Sequence, residues 1–197
     1  ILYHIIHSVF WQDFWAMCPN RADLRDSIRR AKLFLGKDGK VLASWIGGPQ
    51  GRVTPVYASL WTGSTWEDLG STVQVHGGLS RTPGQSSGAA VALDSRAHPV
   101  VAWLDNSSGV QQVYLRRWTG GAWEELGGSA QGLGLSGEGT SRSAISGAIS
   151  VSLALTRDDR PVVAWLAYRP GRAVPFVRVW NGKSWAALPP SNNVDPH

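Results

Sequence analysis

The stretch that decides the fold is Pro99-Val100-Val101-Ala102-Trp103, followed by Trp118-Thr119-Gly120-Gly121-Ala122-Trp123-Glu124-Glu125-Leu126-Gly127. Both halves occur three times. Upstream stand Val41-Leu42-Ala43-Ser44-Trp45 and Trp61-Thr62-Gly63-Ser64-Thr65-Trp66-Glu67-Asp68-Leu69-Gly70. Downstream stand Pro161-Val162-Val163-Ala164-Trp165 and Trp180-Asn181-Gly182-Lys183-Ser184-Trp185-Ala186-Ala187-Leu188. The first Trp recurs after 58 and then 62 residues, the last after 57 and then 62. Nine of the 11 tryptophans fall at these three positions. Their abundance therefore belongs to a repeated unit, which must be read first.

In the middle copy, Ala89 to Leu93, Pro99 to Leu104, Val113 to Trp118 and Ala122 to Leu126 have the length and composition of strands. The third run alternates, with Val113, Leu115 and Arg117 on one side and Tyr114, Arg116 and Trp118 on the other. The second run is apolar on both faces, as a strand between neighbouring sheets should be. Short connections separate the runs: Asp94 to His98 between the first two, Thr119-Gly120-Gly121 between the last two. Four antiparallel strands per repeat predict an all-β fold of three β-propeller blades, with strand cores at 33–70, 89–127 and 150–188. A closed ring needs about four to eight blades. The sequence thus points to a partial propeller, or to a homo-oligomer that closes the ring, a six-bladed dimer being the simplest.

Trp66, Trp123 and Trp185 near the last strand, and Gly47-Gly48 after the second strand of the first copy, resemble the kelch-type propeller blade. The resemblance covers 33–188 and implies the propeller architecture. The chain departs from that pattern with Leu104-Asp105 and Leu166-Ala167 in place of the double glycine, and with Trp61, Trp118 and Trp180 in place of a Tyr. The hairpins ending Gly-x-x-Trp are also similar to the sialidase-type box, but its Asp is missing.

Outside the repeats, residues 1–32 form a separate segment and 189–197 a tail. Phe10, Trp11, Phe14 and Trp15 share one helical face by spacing, and Asp23 to Arg30 is helix-compatible. The apolar run from Ile1 to Met17 is broken by His4, His7, Gln12 and Asp13, which argues against a membrane span. The single Cys18 excludes an intrachain disulfide and leaves the compartment open, with an extracellular or cell-surface location compatible. The net charge of +5 is scattered, with Arg29-Arg30 and Arg116-Arg117 the only basic pairs. That argues against nucleic acid and allows attraction to anionic ligands.

No residue set calls for a catalytic role, a metal or a cofactor. His4 and His7, with Asp13 and Cys18, complete no metal-ligand spacing, and no Gly-x-Ser-x-Gly elbow occurs. Glu67-Asp68 and Glu124-Glu125 could supply paired carboxylates for glycoside hydrolysis. The third copy has Ala186-Ala187 there, and acids on an outer strand commonly keep an edge soluble.

Binding is expected in the long connections that share one end of the propeller: 47–54, 105–111 and 167–174 after the second strands, 71–86 and 128–146 between copies. Candidate ligand-binding residues there are Arg52, Arg81, Asp105, Asn106, Arg142, Arg169 and Arg172. Arginine suits carboxylate, sulfate or phosphate groups. Trp45, Trp103 and Trp165 read as core between blades; Trp61, Trp118 and Trp180 stand open between packing and sugar stacking. The function expected is a non-catalytic module that binds a protein or glycan. A propeller glycoside hydrolase or lyase, or a purely structural surface repeat, is the alternative.

Overall fold

The computed structural model describes residues 31–47, 54–70, 78–137, 146–169 and 172–189. The helical expectation within 1–32 falls outside them, as does nearly all of the tail. Twelve strands follow one another: β1 Lys32–Leu35, β2 Val41–Ile46, β3 Val56–Trp61, β4 Trp66–Asp68, β5 Ser86–Leu93, β6 Pro99–Asp105, β7 Gln112–Trp118, β8 Trp123–Glu124, β9 Ser146–Leu155, β10 Pro161–Arg169, β11 Arg172–Trp180 and β12 Trp185–Ala187. Each consecutive four form one antiparallel sheet in chain order. The described chain is all-β, three four-stranded propeller blades. Among the described residues no helix is long and apolar enough to cross a membrane.

Strand alternation explains the stacking. Every residue of β6 is buried, because its two faces enter different seams. Blade 1 offers Leu42, Ile46, Val56, Ala58 and Leu60 to Val101, Trp103 and Tyr114 of blade 2. Blade 2 in turn offers Val100, Ala102, Leu104, Val113 and Leu115 to Val163, Trp165 and Ala167 of blade 3. The expected core tryptophans are all buried, and each stacks on the aromatic paired with it across the sheet. Trp45 meets Tyr57 at 5.7 Å, Trp103 meets Tyr114 at 6.0 Å and Trp165 meets Phe176 at 5.6 Å.

The other six repeated tryptophans pair within each blade, at 5.5 to 5.6 Å and tilted, and stay half-buried. They also join the blades. Trp123 Nε1 donates to Leu69 O across the first seam at 2.7 Å, and Trp185 Nε1 donates to Leu126 O across the second at 2.6 Å. Gly70 and Gly127 follow those leucines with φ of 73° and 56°. A Cβ on Gly70 would come within 3.0 Å of the Trp118 ring, and one on Gly127 within 2.7 Å of the Trp180 ring. The repeated Leu-Gly is thus the socket for the next blade's tryptophans. The third copy has Leu188-Pro189 there, and Leu188 is 48% exposed where Leu69 and Leu126 are 3% and 6%. We expect Trp123→Phe and Trp185→Phe each to cost about 1 kcal/mol through the lost donor. Urea unfolding followed by circular dichroism measures it, and an unchanged midpoint in both would deny these bonds a role.

Further seam bonds run from Ser86 N to Thr54 O (3.1 Å) and from Ala148 N to Gln111 O (2.7 Å). At the opposite end, Ser95 N donates to Asp159 Oδ1 at 2.9 Å. Two strand limits differ from expectation. β5 and β9 begin at Ser86 and Ser146, with an irregular register at Ser87/Ala89 and opposite Leu166 to Tyr168. The blade 3 connection expected over 167–174 is mostly sheet: the pairing Arg169↔Arg172 leaves only residues 170 and 171 between the strands. Tyr168 and Val174 are good strand formers, and extending the ladder satisfies their backbone groups.

Candidate functional site

The loop-rich end is built by two devices. The first is a repeated plug, Gly78-Leu79-Ser80 and Gly134-Leu135-Ser136. Leu79 N donates to Val56 O at 2.6 Å and Leu135 N to Val113 O at 2.7 Å. The hydroxyl of Ser80 accepts from Val56 N and that of Ser136 from Val113 N. Both leucines are buried in the cores between blades. The connections between copies are therefore partly scaffold. The tripeptide was the signal in the sequence, hidden by unequal lengths on either side of it.

The second device centres on Asp105, the last residue of β6. Its side chain is fully buried. Oδ2 accepts from Thr82 Oγ1 and Ser86 Oγ, both at 2.7 Å, and Oδ1 accepts from Ser107 N at 2.8 Å. Asn106 Oδ1 accepts from Gln85 N at 2.7 Å, and Gln111 Nε2 donates to Ser87 Oγ. A buried carboxylate holding three donors ties the 106–111 turn to the chain entering β5. The turn is fixed before any ligand arrives.

The candidate residues fall into two groups. Arg81, exposed with φ of 52°, precedes the Thr82 that binds Asp105, so Arg81, Asp105 and Asn106 share the blade 2 end. Arg169 and Arg172 pair across the tip of the β10–β11 hairpin, Arg172 being exposed. Arg52 and Arg142 lie outside the described residues. Of the acids expected on the outer strands, Glu124 of β8 forms an exposed ion pair with Arg117 at 3.1 Å, worth about 0–1 kcal/mol, and Glu125, just past the strand, accepts from Gln131 Nε2 at 2.7 Å.

Sequence reasoning passed over two further groups. Tyr168, next to Arg169, is 50% exposed at this same end. Arg116 lies on the blade 2 face turned to blade 1. Burial holds its guanidinium below the usual arginine range, Arg81 pushes the same way, and Glu125 opposes them. Alternation along β7 was the available signal for Arg116, since Tyr114 and Trp118 share its side. Among the described residues at this end, then, stand hydrogen-bond donors, positive charge and an open aromatic ring beside a hydrogen-bonded turn.

No family model matches the chain, and no curated protein matches it. Solved structures do resemble it in fold. A thermostable family-43 glycoside hydrolase is 11% identical with a TM-score of 0.51, over 85% of this chain and 59% of that one. An α-L-arabinofuranosidase from Fusarium graminearum is 12% identical with a TM-score of 0.50, over 81% of this chain and 49% of that one. A fucose lectin from Kordia zhangzhouensis is 16% identical with a TM-score of 0.47, over 80% of this chain and 96% of that one. The chain thus spans about half to three-fifths of the length of the two enzymes.

Proposed function

We propose that this chain is a non-catalytic recognition module whose ligand is a glycan, met at the loop-rich end. The observation that carries the reading is Tyr168, half exposed beside the Arg169–Arg172 tip, at the end where Asp105 has already fixed the neighbouring turn. An aromatic face receives the C–H face of a sugar, while guanidinium and amide groups take its hydroxyl or acidic substituents. A fixed turn loses little entropy on binding. The fold also carries glycoside hydrolases, a likeness of architecture alone. The kelch kinship we propose rests on the phases of Trp66, Trp123 and Trp185 and on the sequence pair Gly47-Gly48.

A glycan array probed with the full chain tests the reading. Binding is expected to a defined glycan set, and Tyr168→Ala should weaken it by about tenfold, the loss of one aromatic contact. Retention of full binding by Tyr168→Ala would move the ligand elsewhere. An empty array with a captured protein ligand would replace the glycan, and release of reducing sugar from a bound glycan would replace recognition by catalysis.

A further inference from the structure

Alternation along β10 gives blade 3 two faces, and one of them meets blade 2 through Val163, Trp165 and Ala167. Val162, Ala164 and Leu166 point the other way, paired with Val179, Val177 and Pro175 of β11. Among the described residues no sheet lies on this last face, and Leu166 is 37% exposed. The same register in blade 2 holds Val100 with Arg117, Ala102 with Leu115 and Leu104 with Val113. There Val100, Ala102, Leu104, Val113 and Leu115 are all buried, because blade 3 covers them. The outer edge differs: Arg117 and its partner Glu124 give way to Val179 and Ala186. Ser150, Ser152 and Ala154 of β9 continue the face without a charge. The open face is thus more apolar than the buried face whose register it repeats.

Two observations decide what covers it. Blades 2 and 3 dock by setting tryptophans on Leu69-Gly70 and Leu126-Gly127. Blade 3 offers Leu188-Pro189 instead. Proline is held near a φ of about −65° and carries a ring where even a Cβ crowds the incoming indole. A further tryptophan-bearing blade therefore has no socket here. The matching first face of blade 1 is also buried, with Ala43, Trp45 and Ser59 at 1%, 2% and 0% exposure. A second copy joined head to tail would need both that face and the socket. Two copies joined by their last faces need neither, and no like charges meet in such a joint.

We propose that the last face of blade 3, centred on Ala164, Leu166, Pro175 and Val177, pairs with the same face of a second copy in a twofold dimer. Tyr168, two residues beyond Leu166 on β10, stands at the loop-rich rim of that face, where the joint leaves it open. β9, β10 and β11 run 10, 9 and 9 residues, which gives a face about 30 Å by 15 Å. An interface of that size is small, so association should vary with concentration. The inference stands apart from the recognition reading.

Sedimentation of the full chain from micromolar to millimolar concentration tests it. A monomer–dimer equilibrium that stops at two copies is expected. Leu166→Glu and Val177→Glu should each weaken it by about tenfold or more, since each puts a carboxylate into an apolar joint. Leu133→Glu, at a similarly exposed leucine in the connection between blades 2 and 3, should associate as the parent does. The deciding experiment mixes Leu166→Glu chains with Leu166→Lys chains, with Val177→Glu and Val177→Lys as a second pair where the first does not fold. Each variant alone should stay monomeric, and the mixture should form heterodimers. Only a joint made by the same face on both copies sets Glu against Lys. A parent monomeric throughout, growth beyond two copies, an equal loss in Leu133→Glu, or a mixture that stays monomeric overturns the dimer.

Discussion

Replacing Trp103 by alanine is expected to lower the free energy of unfolding by about 3–5 kcal/mol. The side chain is wholly buried, stacks on Tyr114 and fills the seam between blades 1 and 2. Neither neighbouring sheet can collapse into the space it leaves, since both are held by their own ladders. Trp103→Phe should cost far less, about 1–2 kcal/mol. The smaller ring keeps the stack, and the indole Nε1 that it removes is buried without a hydrogen-bond partner among the described residues. Trp118→Ala should fall well below Trp103→Ala, because Trp118 is only half-buried. Urea unfolding followed by circular dichroism at a backbone wavelength measures all three without relying on the tryptophan signal. Equal costs for Trp103→Ala and Trp118→Ala would mean that the two positions do not differ in burial.

The second large effect is expected at a backbone contact. Gly134 and Gly132 lie two residues apart with φ of 57° and 53°. A Cβ on Gly132 would meet nothing within 4 Å, whereas one on Gly134 would stand 2.3 Å from Val113 O. Gly132→Ala therefore isolates the cost of a left-handed alanine, about 1 kcal/mol. Gly134→Ala adds a clash that can relax only by lifting Leu135 off Val113 O, for a total of about 3 kcal/mol. Gly78, with its Cβ position 2.4 Å from Val56 O, should behave as Gly134 does. Thermal unfolding of the paired variants reads the difference. Equal shifts for Gly132→Ala and Gly134→Ala would mean that the plug is not seated.

The blades were legible because each rests on a local, periodic signal. Trp45, Trp103 and Trp165 end strands apolar on both faces, and only a sheet covered on both sides asks for that pattern. The final Gly of the Trp-Glu-x-Leu-Gly run was legible as a repeat, but its reason was not: the ring that fills Gly70 comes from Trp118, across the seam. Asp105 illustrates the same limit. A lone Asp after a strand reads equally as ligand contact or as anchor, and the choice depended on Thr82 and Ser86, which arrive from another segment. Arg116 was visible as one of a basic pair, yet nothing local says that Arg117 meets Glu124 while Arg116 shares the face packed on blade 1, where burial disfavours its charge. Period two assigns a side to a residue. What stands on that side is a long-range fact.

Whether successive sheets truly lie side by side can be read from the α-protons of two glycines by nuclear magnetic resonance. With Trp118 over Gly70 and Trp180 over Gly127, both glycines should show strong upfield ring-current shifts and cross-relaxation with those indoles. Glycine shifts near random-coil values, with indole contacts confined to each tryptophan's own sheet, would mean that the blades do not pack as described.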